Sequence, residues 1–359
     1  MSTRCSIHDM LTYPSLPLNA YFQDLAFVDI LNLSLCADET KTFVKRLGWR
    51  PEVCRLTFGS VVGGATFTVE LSFERKERNV KWVVPRERLE KPYKGVEMKR
   101  MRIAGMTLLA GEMGETPFPN VFRSELDEPD AHFKVFEHVC KFLLERFPPV
   151  KVDVENHCLL PTEISKFVKS ASYAKCVRRL SMREKSPKLD ARQTEHLLKT
   201  MQLEELTMEK IRVEAECQHA LKHSKMSISC ANWLKPINIL SMRCTHLTLW
   251  QVPSFGNEEL NAFLKKWIKS SFRNLEVFTC YRIRSPPYTY EHVLRGMEAD
   301  EWKPGSRPRN HALRRSEGVS CRTGRDIQRR NGTLGTVLIK LPSKFEFYVW
   351  KDKYLESYH

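Results

Sequence analysis

Strict alternation marks the clearest strand in the chain. In TFTVELSF, residues 66 to 73, Phe67, Val69, Leu71 and Phe73 share one side, and Thr66, Thr68, Glu70 and Ser72 the other. That pattern predicts a half-buried strand. After the polar break ERKERN, the run VKWVV at 80 to 84 predicts its antiparallel partner. Gly59, Gly63 and Gly64 lead into a strand rather than a helix and lack a following Lys-Ser/Thr, so they read as a turn and not as a phosphate loop. No clear period runs from 85 to 130.

From 131 the pattern turns helical. Phe136, Cys140, Leu143, Leu144 and Phe147 fall on one helix face, and Pro148-Pro149 stops it. Short apolar runs then recur at Val152–Val154, Leu180–Met182, Leu206–Met208, Leu247–Leu249 and Leu275–Val277, most of them separated by one amphipathic helix. Thr162 opens one such helix. Leu197, Leu198 and Met201 mark the next, and Asn257 is placed to cap a third, carrying Leu260, Phe263, Leu264, Trp267 and Ile268. The spacing lies near the leucine-rich-repeat range of about 20 to 29 residues, with one longer gap that reads as an insertion. An irregular strand-helix solenoid, stabilised by stacking, is the expectation.

Near the end, Asn331-Gly332 predicts a tight hairpin turn between DIQRR and TLGTVLI, and Phe345, Phe347 and Val349 predict a further strand. At the other end, three short helices carry much apolar surface. Leu16-Pro17 precedes the first, LAFVDILNLSLC (25 to 36) supplies Leu25, Phe27, Ile30, Leu31 and Leu33, and Asp38 to Leu47 forms the third. About 35 residues cannot hide so much apolar surface internally, so this unit should dock on the remainder or hold a partner.

Composition narrows the picture. The chain has 359 residues, 42% hydrophobic and 28% charged, so it should fold as a globular protein. Its most apolar stretch, Leu16 to Leu35, contains Gln23, Asp24 and Asp29, which argues against a membrane span. The opening MSTRCSIHDM has no apolar signal core, so the expected compartment is cytoplasmic or nuclear. Eleven cysteines, with no CxxC pair, fit reduced thiols there.

Candidate chemistry is sparse. Cys217, His219 and His223 have a spacing that can bind zinc, yet no fourth ligand has diagnostic spacing, and a solvated helix face is the simpler reading. No catalytic signature occurs, and no cofactor or metal is expected. Net charge is +15, concentrated between Lys303 and Arg330, where nine Lys or Arg face only Glu317 and Asp326. Arg314, Arg315, Arg329 and Arg330 are candidate phosphate contacts there, with Trp302 and His311 able to stack a base. Without repeated aromatic-basic interleaving, a surface loop with solvated or internally paired arginines is favoured over nucleic-acid binding.

Several motifs in order point to one family. YPSLPL, ILNLSLC and ETKTFVKRL between Tyr13 and Leu47 resemble the F-box of the large nematode-type family of F-box proteins. CTHLTLW (244 to 250), NEELNAFLKKWIKSSFRNLEVF (257 to 278), the Arg-Pro loop at 307 to 308, GRDIQRRNGTLGTV and FEFYVW resemble that family's type 2 F-box-associated domain, so that residues 175 to 350 together look like one copy of it.

The resemblance implies a non-catalytic substrate receptor of an SCF-type cullin-RING ubiquitin ligase. A Skp-family adaptor, and through it a cullin, would be held by the F-box, with Leu16, Pro17, Leu25, Phe27, Ile30, Leu31 and Leu33 as adaptor-facing candidates. The associated domain would bind an unknown target protein. The expected order is a tail at 1 to 12, an F-box-like helical domain at 13 to 50, a β-rich connecting region at 51 to 130, leucine-rich-repeat-like units at 131 to 284, a basic Pro/Arg-rich loop at 285 to 325 and a β-hairpin region at 326 to 359. The expected fold class is α+β or α/β: a three-helix F-box-like N-terminus, then an irregular leucine-rich-repeat-like solenoid ending in a β-hairpin region.

Overall fold

The computed structural model describes residues 49–59, 66–74, 80–85, 97–103, 106–112, 121–123, 131–169, 177–183, 188–214, 220–269, 271–282, 286–303, 306–311, 318–340 and 343–351. The chain divides into two units, one of residues 1 to 159 with 163 to 179, the other of 160 to 162 with 180 to 359.

The first unit contains β1 (Val53–Phe58), β2 (Thr66–Ser72), β3 (Val80–Pro85), β4 (Lys99–Ile103), β5 (Met106–Gly111), β6 (Val121–Arg123), helix α1 (Ala131–Arg146) and β7 (Lys151–Asn156). Its strands lie in the order β7-β1-β2-β3-β6-β5-β4. The alternation at 66 to 73 does form a strand, and VKWVV pairs with it antiparallel, Val69 opposite Trp82. The unperiodic region supplies β4, β5 and β6. Phe136 of α1 packs its ring 5.3 Å from Phe58 and 5.2 Å from Phe67, while Phe142 stacks 6.0 Å from Trp82. All these rings are buried. Each such side chain contributes about 1.5–3 kcal/mol through removal from water.

Helix α2 (Pro161–Lys169) and β8 (Val177–Met182) follow across the boundary between the units. The second unit then runs α3 (Ala191–Glu195), continuing as a π-helical turn His196–Thr200, β9 (Glu205–Met208), β10 (Lys225–Ile228), α4 (Pro236–Leu240), β11 (His246–Trp250), α5 (Asn257–Ile268) and β12 (Val277–Tyr281). It ends with α6 (Tyr290–Val293), β13 (Asp300–Glu301), β14 (Asn310–His311), β15 (Val319–Ser320), β16 (Arg325–Gln328), β17 (Leu334–Lys340) and β18 (Lys344–Trp350). The strand order is β13-β16-β17-β18-β12-β11-β10-β9-β8, with β14 and β15 pairing apart. β9 to β12 are parallel, and β12, β18, β17 and β16 are successively antiparallel.

Helix α5 covers the junction of the two patterns. Phe263 lies 4.9 Å from Phe278 on β12 and 5.7 Å from Phe347 on β18, and Trp267 lies 4.9 Å from Phe347. Gly335 lets these rings meet the sheet, because a Cβ there would stand 2.6 Å from Phe347. The residue before the helix is Gly256, whose N–H donates to Glu259 Oε2 at 2.8 Å. Asn257 does not cap; its Oδ1 accepts from the N–H of Thr289 at 3.2 Å and ties down the segment that leads into α6.

The expected leucine-rich-repeat-like solenoid, and with it the helix-rich fold class, is overturned over the described residues. The described chain is mostly mixed β-sheet with six short helices, α3 and α4 only five residues long. The long gap read as an insertion contains β10, and within each unit parallel pairing gives way to antiparallel pairing, β1 to β2 in the first and β12 to β18 in the second. A solenoid joins its units by stacking; in each unit here the strands are joined to their neighbours by ladder hydrogen bonds, antiparallel as well as parallel. Residues 1 to 48, with the expected helices, lie outside the described residues.

Candidate functional site

Of the residues singled out in the sequence, Leu16, Pro17, Leu25, Phe27, Ile30, Leu31 and Leu33 lie outside the described residues, as do Arg314 and Arg315. The rest of the basic segment is sorted by burial. Arg307 is buried against the Asp326 carboxylate, Nε and Nη2 each 2.9 Å from an oxygen, and its guanidinium lies 4.9 Å from the Trp350 ring. Arg329, a candidate phosphate contact, also points inward and donates to the carbonyls of Trp267 at 2.9 Å and Ser271 at 2.6 Å. Arg330 is exposed. Neither expected base-stacking side chain is available in that role: His311 is fully buried between Tyr348 and Trp350, and the half-buried Trp302 donates its indole N–H to the Arg307 carbonyl at 3.2 Å.

The solvated helix face expected around His223 is not found. Residues 220 to 224 are not helical, and His223 is buried with its ring nitrogens 3.0 Å from the Leu197 carbonyl and 3.3 Å from that of Leu203. Burial pushes its imidazole pKa below the ordinary value, against the opposing effect of those carbonyls. Cys217 and His219 lie outside the described residues. Among the described residues, no three metal-ligating side chains converge.

What the sheet offers instead is a surface at the carboxyl ends of the parallel strands. Along β9, β10 and β11, Leu206, Met208, Met226, Ile228, Leu247 and Leu249 are buried on one face, which turns Thr207, Ser227 and Thr248 to the other. At the end of that polar face stands Trp250, 39% exposed, stacked flat on Tyr281 of the neighbouring strand with centroids 3.6 Å apart and planes within 5°. Lys344 lies 4.9 Å from the Tyr281 ring, and Glu346 is ion-paired with both Lys340, at 2.7 Å, and Lys344. Burial alone would raise the Glu346 carboxyl pKa; the two ammonium groups outweigh it and hold it below the usual range.

Beyond the strand ends, a cleft of about 710 Å³ is lined by Lys188, Arg212, Glu214, Cys230, Asn232 and Gln251 among others. In open sheets, the carboxyl edge of parallel strands is where connecting loops diverge and leave room for a ligand. Lys188 bridges Glu214 at 2.9 Å across one wall. Lys210 and Gln251 hold φ of 56° and 60°, positions that strain an L side chain, in the loops leaving β9 and β11. Cys230, Asn232 and Gln251 of the lining, and the stacked tryptophan, come from the stretch between β10 and β12.

That stretch is where comparison with known proteins succeeds. A family model described as F-box associated matches residues 216–280. This chain carries an F-box-associated domain. The matched F-box-associated segment contains β10, β11, α5 and most of β12, with Cys230, Asn232, Trp250 and Gln251 of the surface just described. No curated protein and no solved structure matches the chain. The spacing in the sequence located β9 and β11 and touched the start of β12 but missed β10, and Trp250 gave no signal there, because its stacking depends on the register that sets it opposite Tyr281.

Proposed function

We propose that this chain is the substrate-recognition subunit of an SCF-type cullin-RING ubiquitin ligase of the nematode type. The observation that carries this reading is the F-box-associated match over 216–280, joined to an exposed aromatic stack within and beside the matched stretch. Tryptophan and tyrosine are enriched where protein partners dock, since they bring large rigid area at little entropic cost. The apolar N-terminal segment, with Leu16, Pro17, Leu25, Phe27, Ile30, Leu31 and Leu33, would grip a Skp-family adaptor and through it a cullin. The carboxyl-end surface around Trp250 would hold the target. No reactive group on this chain is then required: a bound target presents its lysines at high effective concentration to a charged conjugating enzyme in the same assembly. The compartment would be cytoplasmic or nuclear.

Co-purification of the full-length chain from cells tests the reading. It predicts a Skp-family adaptor and a cullin in the bound fraction, both lost with Leu25→Asp and Ile30→Asp together. Recovery of neither, at micromolar protein, would remove it.

A further inference from the structure

The amino ends of the same parallel strands carry a second surface of different character. Lys222 and Arg243 each stand three residues before their strands, and the Arg243 N–H donates to the Leu221 carbonyl at 2.8 Å, which sets the two segments side by side. Lys266, from the last turn of α5, donates to the Leu240 carbonyl at 2.6 Å and lies 5.7 Å from the ring of Phe272, the neighbour in sequence of the exposed Arg273. The pairings Val277 with Tyr348 and Thr336 with Tyr348 bring the β16–β17 turn to this same edge, where Arg329 reaches the carbonyls of Ser271 and Phe272 and Arg330 is exposed.

None of these six cations has a carboxylate within ion-pair distance among the described residues. Lys266 and Arg329 are satisfied as donors, but by carbonyls rather than carboxylates, so no full counter-charge meets them. Arg329 feels this directly: burial, and then the like charge of Arg273, lower its pKa, and no acidic group opposes them. At the carboxyl edge, by contrast, Lys188, Arg183, Lys340 and Lys344 are all paired with glutamates.

We infer that the amino edge of strands β10 to β12, with the β16–β17 turn, is a docking strip for an extended acidic polypeptide segment. From β10 to β16 is five strand spacings, roughly 24 Å, the length of about seven extended residues. The cations form one row rather than a two-dimensional field, which suits a single extended chain better than the phosphate lattice of a duplex. Single-stranded nucleic acid is held by exposed aromatic planes beside the charge. Here Phe272 lies only half-exposed near Lys266, and Trp250 stands at the opposite end of its strand. The strip is independent of the ligase reading and would stand if no adaptor bound.

Fluorescence anisotropy of the full-length protein with a labelled decaglutamate peptide tests it. Saturable binding that weakens steeply with salt is expected, reduced about tenfold by Arg243→Glu, Arg273→Glu and Arg330→Glu together. The matched reversal Lys99→Glu, Arg100→Glu and Arg102→Glu on β4, equal in net charge, should leave binding within about twofold. The neutral set Arg243→Gln, Arg273→Gln and Arg330→Gln, with circular dichroism as the folding check, should lose about threefold and stands in if the reversed protein is unfolded. Equal losses from the two reversed sets would overturn the strip. Tighter binding of oligo-dT or duplex DNA than of the peptide, lost with the same three arginines, would overturn the polypeptide assignment.

Discussion

Arg307 and Arg329 come from the same basic segment, are 5% and 7% exposed, and each lies on a tryptophan, Trp350 and Trp267 respectively. They differ in what accepts their protons. Arg307 meets a carboxylate that also accepts from Thr336 Oγ1 at 2.6 Å, so its charge is neutralised inside the fold. Arg329 meets only carbonyls at the end of α5, where the helix dipole offsets its charge in part, and what remains adds to the like charge of Arg273. Hydrogen-bond satisfaction and charge compensation are therefore separate questions, and a count of arginines answers neither.

Arg307 depends on the Asp326 carboxylate in a way that Arg329 does not depend on any one acceptor. Asp326→Ala leaves a buried guanidinium without its counter-charge and should cost about 3–5 kcal/mol, read by urea denaturation at pH 7. A loss below 1 kcal/mol would mean that Arg307 escapes to solvent and the contrast is false. Arg329→Met keeps much of the packing on Trp267 but leaves two or three carbonyls without a donor. It should cost about 1–3 kcal/mol, less than the first because no charge is stranded.

Acid sharpens the same point through two other buried groups. His223 has its folded pKa below the ordinary 6.5, so it favours the neutral fold; above that value it has no effect, and stability falls as pH drops from 6.5 through the folded pKa. Glu346 has its folded pKa below 4.5, so it stabilises above that value, and the gain disappears only as pH falls further through the folded pKa. Urea midpoints should therefore show an early step, absent in His223→Phe, and a later one, absent in Glu346→Gln. A single step common to all three proteins would contradict these two environments.

How much of this was legible beforehand follows from which interactions are local. Alternation at 66 to 73 and the Asn331-Gly332 turn depend on neighbours in sequence, and both formed as read. Helix α1 likewise buries Phe136, Cys140, Leu143 and Leu144, and Phe147 is buried just past its end. The solenoid failed because a strand-helix period and a run of parallel strands look alike until the partner strands are known: β18 joins β12 from 63 to 71 residues away in sequence. The same distance hid the fates of the arginines. Arg307 and Asp326 are 19 residues apart, and Arg329 reaches Trp267 across 62. Likewise, Lys222, Arg243 and Arg273 are scattered in sequence and become a row only when β10, β11 and β12 align.

The smallest expected effect on stability concerns the opposite edge. Trp250 is stacked on Tyr281 but 39% exposed, so Trp250→Ala loses the stacking and part of the buried area, about 1 kcal/mol. If the carboxyl edge holds the target, the same substitution should release target from the co-purified complex while leaving decaglutamate binding at the amino edge unchanged. The Arg243, Arg273 and Arg330 reversal should leave the stack intact, which intrinsic tryptophan fluorescence would report. Two edges of one set of strands would then be separable, one by an aromatic plane at little cost in stability and the other by charge alone. Loss of both bindings from Trp250→Ala, with the fold intact, would show instead that the two edges serve one partner.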